Sequence, residues 1–210
     1  MHETNKQIGI VVALPEERVA LVKRMQQVKR RLVDGIPLFE GMLEGRPVCV
    51  AEGGMGTVAA SRATRLLLSE ARPCLLISAG FCGALHPGAK VADLVLCKRL
   101  FTSDSQGLQE VTLPGSELSC ARLSAELQSK GLRTWQGCFI TTQQVLSKAA
   151  FAQQLPVGLS TPVLEMESSV IALAAAKAGI PFLGMRAISD DAAEELSFTL
   201  DALTAALGDK

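Results

Sequence analysis

Histidine is nearly missing from this chain: two residues in 210, His2 and His86. His2 lies at the start and His86 precedes a Pro-Gly turn, so a histidine-based triad or metal cluster has almost no material. No cysteine pair is spaced CxxC. The six cysteines (Cys49, Cys74, Cys82, Cys97, Cys120, Cys138) fall mostly in apolar, strand-like runs. Reduced, buried thiols in a cytoplasmic protein are expected, with no metal site. Neither charge sign is in excess, since Lys+Arg and Asp+Glu both number 21. That leaves no clustered Lys/Arg footprint for nucleic acid. The stretch "KRMQQVKRR" (23–31) is basic but short, and reads as the solvated outer face of a first helix. No apolar run is long enough to span a membrane. Residues 1–7 are polar, so no signal peptide is expected, and no linker, repeat or low-complexity segment interrupts the chain.

What is present is apolar. Hydrophobic residues make up 48% and charged residues 20%, the balance of a folded chain, and the length suits one sizeable domain over 1–210. "IGIVVAL" (8–14) reads as a buried strand, broken at Pro15, which is well placed to open a helix. That helix is expected to run to about Arg30. "GIPLFEGMLEGRPVCVAEGG" reads as a hairpin with strands near 36–43 and 46–51 and a Glu-Gly turn. "GTVAASRATRLLLSEA" is an amphipathic helix, "PCLLISAGFCGAL" a buried strand ending in a glycine-rich turn, and "KVADLVLCKRLF" another strand. "GSELSCARLSAELQSKG" is a helix with Ser116 as N-cap and Gly131 just past its end. "RTWQGCFITT" is a strand, "MESSVIALAAAKAGI" a small-residue helix, "PFLGMRAIS" the last buried strand, and 192–207 a closing helix. Buried strands interleaved with helices predict an α/β fold: a single three-layer domain with a central mixed β-sheet flanked by helices.

Ligands of open α/β sheets gather at the carboxyl ends of the strands. Those ends present Glu16 and Glu17, "EGGMG" (52–56), "SAGFCGAL" (78–85), "FITTQQVL" (139–146), "LEMESS" (164–169), and finally Ser189 and Asp190. Carboxylates come from three places, glycine turns from two, and basic groups are few. Such a set suits a neutral or cationic ligand better than a polyphosphate. Each signal alone has a plainer reading. Glu16 and Glu17 suit the first turn of any helix. "GGMG" is neither GxGxxG nor GxxxxGK[ST]. Glu165, Glu167, Asp190 and Asp191 all suit helix starts.

Taken together, the segments resemble the nucleoside phosphorylase/nucleosidase superfamily (purine/uridine phosphorylase family 1). The similarity is to the branch of methylthioadenosine/S-adenosylhomocysteine nucleosidases and hopanoid-associated phosphorylases. "IGIVVALPEE" is similar to that branch's opening strand and its acids. "GGMGTVAASRATRLLL" is similar to its Gly-x-Gly-x-x-Ala-Ala segment and helix, and "ISAGFCGALHPGAKVADLVL" to its central strand and Pro-Gly element. The most specific match is "LEMESSVIALAAAKAGIPFLGMRAISD", a Met-Glu helix start followed by a strand ending Arg-x-x-Ser-Asp.

The resemblance implies roles. Asp190 contacts the purine and protonates or hydrogen-bonds N7, with Ser189 orienting it. Glu167 accepts from ribose hydroxyls and Met166 lies against the sugar. Glu17 positions the attacking water. Phe139, Val145 and Leu146 flank the base, and Gly80 and Gly83 let the central turn approach the sugar. The implied ligand is a purine nucleoside and the implied assembly a homodimer. No cofactor and no metal are implied.

Cleaving a purine N-glycosidic bond needs such groups. Negative charge flows into the base, where an acid at N7 is worth roughly 10²–10⁴-fold. Carboxylates steady the positive charge developing on the sugar. For the acid to stay protonated, burial is expected to raise its pKa. Family phosphorylases carry an Arg before the central glycine turn and a Ser or Thr within it. Here Ser78 and Phe81 stand there, and "ALPEER" puts acids where phosphate needs cations. Hydrolysis is therefore expected over phosphorolysis. Phe81 also departs from the nucleosidase pattern and would suit an apolar 5′ tail, as in the hopanoid-associated members. A nucleoside-binding module without activity and a dinucleotide-binding domain built on "GGMG" are the other readings. The first is opposed by the retained acids, the second by the incomplete fingerprint.

Overall fold

The computed structural model describes residues 7–115, 120–144 and 147–192. Its strands and helices, in chain order, begin β1 (Ile8–Val12), α1 (Pro15–Val22), β2 (Gln26–Val33), β3 (Ile36–Leu43), β4 (Arg46–Glu52), α2 (Thr57–Ala71) and β5 (Leu75–Ala84). They continue β6 (Leu94–Asp104), β7 (Gly107–Val111), α3 (Cys120–Ser129), β8 (Thr134–Thr141), α4 (Lys148–Ala152), β9 (Pro162–Glu165), α5 (Ser168–Ala178) and β10 (Phe182–Asp190).

The expected mixed sheet flanked by helices is what the chain forms. Side chains of β1 and β4 alternate across it. Ile10, Val12, Val48 and Val50 face a cluster with Met25, Phe39 and α1 residues, while Val11, Cys49 and Ala51 face Ala60, Ala63 and Leu67 of α2. That period of two is what lets both faces of a strand be buried.

The centre of the sheet is more closed than an open layer. β5 pairs in parallel with β1 over Leu75–Ser78 and with β10 over Leu76–Gly83, then antiparallel with β9 at Gly83 and Ala84. β9 pairs with β8, β8 with β6 and β6 with β10. The five strands β5, β9, β8, β6 and β10 thus curl into a ring, from which β1, β4, β3 and β2 extend.

One expected element is wrong. The first helix stops at Val22 rather than near Arg30, and residues 26–33 form β2, so "KRMQQVKRR" is mostly a strand. β2 is exposed along nearly its whole length and so lacks apolar periodicity. Its signal is the Asp34–Gly35 turn, with φ of 50° and 76°, the left-handed pair that a two-residue hairpin needs. Lys29, Arg30 and Arg31 then line the outermost strand, where charge discourages edge-to-edge pairing. β7, α4 and β9 were also not expected. Ser116 and the closing helix beyond residue 192 lie outside the described residues. No helix among the described residues is long and apolar enough to cross a membrane.

Candidate active site

The carboxyl ends of β1, β5 and β10 meet the starts of α1 and α5, and there the predicted acids converge. Pro15 opens α1, placing Glu17 in its first turn. Glu17 folds back over the helix start: Oε2 accepts from the N–H groups of Ala13 (2.8 Å) and Leu14 (2.9 Å). Oε1 accepts from the Phe81 N–H of β5 at 2.8 Å. Glu16 is exposed whereas Glu17 is buried. Helix capping and an inward-facing role therefore belong to different oxygens of one carboxylate.

Between β9 and α5, Glu165 and Glu167 divide in character. Glu165 is deeply buried. It accepts from the Thr141 hydroxyl, from Arg186 Nη2 (2.7 Å) and from the N–H groups of Glu167 (3.1 Å) and Ser168 (2.7 Å). Burial pushes its carboxyl up, but Arg186, the Thr141 and Ser168 hydroxyls and the Ser168 N–H outweigh burial and hold it below the usual range. Glu167 accepts from the Gly56 N–H (2.9 Å) and from Arg186 Nη2 (3.3 Å). Burial raises its carboxyl, helped by Glu165 and Glu17 and opposed by Arg186 and Gly56.

Arg186 of β10 is the hub of this group. At 1% exposure it also reaches the Ser78 (3.0 Å) and Ser168 (3.2 Å) hydroxyls, while its buried Nε has no hydrogen-bond partner among the described residues. Burial would lower its affinity for the proton, but Glu165, Glu167 and Glu17 more than restore it. A Cβ on Gly80 would stand 2.3 Å from both Arg186 Nη1 and Glu17 Oε1, so only glycine lets this acid and base crowd the turn.

Three residues on, the pattern repeats with other partners. β10 bulges against β5: Ile188 pairs with Cys82, yet Asp190 pairs with Gly83, leaving Ser189 as the extra residue. Bulges re-aim side chains. Asp190, 3% exposed, directs Oδ1 to the Ser189 hydroxyl (2.6 Å) and Oδ2 to the ammonium of Lys148. Lys148 begins the short α4, capped by Ser147, and also donates to the Asp191 carbonyl at 2.6 Å. A Cβ on Gly83 would lie 2.8 Å from Asp190 Oδ2 and 3.4 Å from Lys148 Cδ.

The structure therefore brings together Glu17, Gly80, Gly83, Glu167, Ser189 and Asp190 along one stretch of β5. Met166 is half-buried beside them in sequence. Phe81 is 42% exposed. Phe139 is packed in the core with no exposure, facing Gly184. Val145 and Leu146 lie outside the described residues. Two cations were missed by a reading that counted few basic groups at the strand ends. Arg186 had a signal, a charge inside the apolar run "PFLGMRAIS", where burial demands a partner. Lys148 had none, because a lysine at the start of a short helix is ordinarily a surface residue. Among the described residues no group of three His, Cys, Asp or Glu side chains is arranged to hold a metal ion.

Charge is divided along β5. At Gly80 three carboxyl groups surround one guanidinium; at Gly83 one carboxyl group meets one ammonium. The first end suits positive charge and hydroxyl donors, the second a group that takes or returns a proton.

Known proteins share this frame. A 5′-methylthioadenosine/S-adenosylhomocysteine nucleosidase of Staphylococcus aureus is 24% identical over 207 residues, covering 93% of this chain and 91% of that protein. The nucleosidase of the same name from Neisseria meningitidis, solved with methylthio-immucillin-A, superposes with a TM-score of 0.77 at 24% identity, over 89% of this chain and 87% of its own. Futalosine hydrolase of Helicobacter pylori gives 0.78 at 20% identity, over 94% and 90%. The model of the phosphorylase superfamily matches residues 7–208, and by that match, nearly the whole chain, this protein belongs to the phosphorylase superfamily.

Proposed function

We propose that the protein is an enzyme that hydrolyses the N-glycosidic bond of an adenosine-type purine nucleoside. The observation that carries this reading is the division of charge between Gly80 and Gly83. Heterolysis of the bond makes the sugar positive and the base negative, and the site offers carboxylates at one end and a proton-bearing pair at the other.

In this reading Glu17 holds the attacking water with the acceptor capacity left after its three N–H contacts. Glu167 accepts from ribose hydroxyls, with Met166 against the sugar. Asp190, steadied by Ser189, meets N7 of the base. Val145 and Leu146 flank the base, and Phe139 contributes through its main chain, since its ring is committed to the core. Relatives named for hydrolysis of nucleosides support the reaction type.

Water is favoured over phosphate because the arginines near the strand ends are already engaged. The charge of Arg186 is buried and already paired with Glu165 and Glu167. Arg18 pairs with Glu52 at 2.8 Å and lies over the Phe39 ring. A phosphate dianion would need uncommitted cations. The deciding experiment is chromatography of the products from a panel of adenosine-type nucleosides, with and without phosphate. Free base and free sugar without phosphate are expected; strict phosphate dependence with a sugar 1-phosphate product overturns the reading. The exposed Phe81 favours an apolar 5′ substituent, as a hopanoid-associated member would require, and the same panel ranks the 5′ groups. A cytoplasmic homodimer completes the proposal on family resemblance, checked by sedimentation and cell fractionation.

A further inference from the structure

Lys148 is the one buried lysine among the described residues. Its side chain is 8% exposed and that of Asp190 5%. An ammonium has three N–H groups. One goes to Asp190 Oδ2 and one to the Asp191 carbonyl. Burying such a pair costs several kcal/mol of lost hydration, so a purely structural role would be served as well by two apolar residues. Gly83 leaves space for both groups, which lie against the backbone of β5.

Few other titratable groups face them. Cys82 of β5 is close, and burial pushes its thiol far up, so it stays neutral. The Asp191 carboxylate turns outward to Lys90 (3.3 Å). Arg186, Glu165, Glu167 and Glu17 belong to the Gly80 end, where Arg186 is charge-paired with Glu165 and Glu167. Lys148 and Asp190 are therefore each other's nearest opposite charge.

We propose that Lys148 and Asp190 form a single proton-holding unit, in which the Lys148 ammonium stores the proton that Asp190 passes to the leaving base. The step balances. A Lys148 N–H bond breaks and an O–H bond forms on Asp190. That O–H bond breaks as the base gains an N–H bond, and the electron pair of the glycosidic bond leaves with the base. Water adds to the sugar carbon, and the proton it sheds returns through solvent to the Lys148 amine. This rests on the nucleosidase reading and gives Asp190 a proton source in direct contact with it.

The test is the pH profile of kcat/KM for adenine release by wild type, Lys148→Met and Lys148→Arg, with melts as a folding check. Wild type should hold its activity to alkaline pH, because an ammonium keeps its proton far longer than a carboxyl group. In Lys148→Met the proton must sit on Asp190 itself. Activity should fall about 10²-fold at about pH 8 and recover as pH falls, with the alkaline limb moved down by more than about one unit. Lys148→Arg restores the charge but not a transferable proton, so it should remain impaired, and recover only at still lower pH. Several outcomes would overturn the proposal: an unmoved or upward-moved limb in Lys148→Met, a loss equal at every pH, or full rescue by arginine. If wild type itself releases no base from any nucleoside, the nucleosidase reading has failed instead.

Discussion

The Phe81 N–H donates to Glu17 Oε1 at 2.8 Å, joining the start of α1 to the turn of β5 across 64 residues of chain. With Ala13 and Leu14 on the other oxygen, Glu17 is surrounded by donors. Glu17→Gln therefore sets an amide NH₂ against at least one backbone N–H whichever way it turns. Turnover should fall by orders of magnitude. Stability should also drop by about 1–3 kcal/mol, the cost of leaving a buried donor unpaired. Urea unfolding beside an adenine-release assay would check both; a fully stable, active Glu17→Gln enzyme would show that these contacts are incidental.

Two glycines on one strand can be ranked. Gly80→Ala would press a methyl to 2.3 Å from both Arg186 and Glu17, whereas Gly83→Ala meets Asp190 at 2.8 Å and Lys148 at 3.4 Å. The first should unfold at clearly lower temperature than the second. The second should keep its fold and lose mainly kcat, because it displaces the Asp190 carboxylate. Equal melting temperatures would contradict the crowding at Gly80.

Glu165 and Glu167 should act on stability in opposite pH ranges. Folded Glu165 holds its proton less tightly than the ordinary glutamate value of 4.5. It stabilises above that pH, and its contribution fades as pH falls through its lowered folded value. Folded Glu167 holds its proton more tightly than that value. It stabilises below pH 4.5 and loses that contribution as pH rises through its raised folded value. Urea midpoints across pH should then show Glu167→Gln relieving a decline on the way up to neutral. Glu165→Gln should flatten the acid limb while losing about 3–5 kcal/mol near neutrality, because it strands Arg186. A steeper acid limb in Glu165→Gln would contradict the assignment.

The neighbours Asp190 and Asp191 should fail differently. Asp190→Asn removes the carboxylate that holds a buried ammonium, so activity should collapse and about 3–5 kcal/mol of stability go with it. Asp191 holds Lys148 through its carbonyl, which alanine keeps, and its side chain pairs with Lys90 near the surface. Asp191→Ala should cost about 0–1 kcal/mol and keep most activity. The reverse result would mean that the wrong aspartate has been assigned to the pocket.

Much of this was legible in the chain. β1, β3, β4, β5, β8, β10 and helices α2 and α5 follow from apolar periodicity and Gly or Pro punctuation, because each buries a face against its neighbours. Apolar runs placed Glu17, Glu167 and Asp190 at strand or helix boundaries, where each alone suits a helix start; it was the resemblance to the family that singled them out. β2 was not legible, since a strand exposed on both faces carries no alternation. The closure of the β5–β10 ring was hidden for another reason. Which strands pair depends on curvature, and curvature is set by bulges that local pattern does not mark. Lys148 was hidden because its partner lies 42 residues away in sequence and its own surroundings are ordinary.

The extra residue in β10 has a consequence for how such a site is inherited. Ile188 stands level with Cys82 and Asp190 with Gly83. Delete Ser189 and the count changes by one: the aspartate now at 190 would still follow Ile188 but would face Gly83 from the opposite side of the strand, with its alternation reversed. Every charged group would remain in the chain, and the Gly80 end would still assemble, but Asp190 and Lys148 would no longer meet at Gly83. The site is therefore encoded partly as a number of residues, and a gap of one position there matters more than many differences of letter.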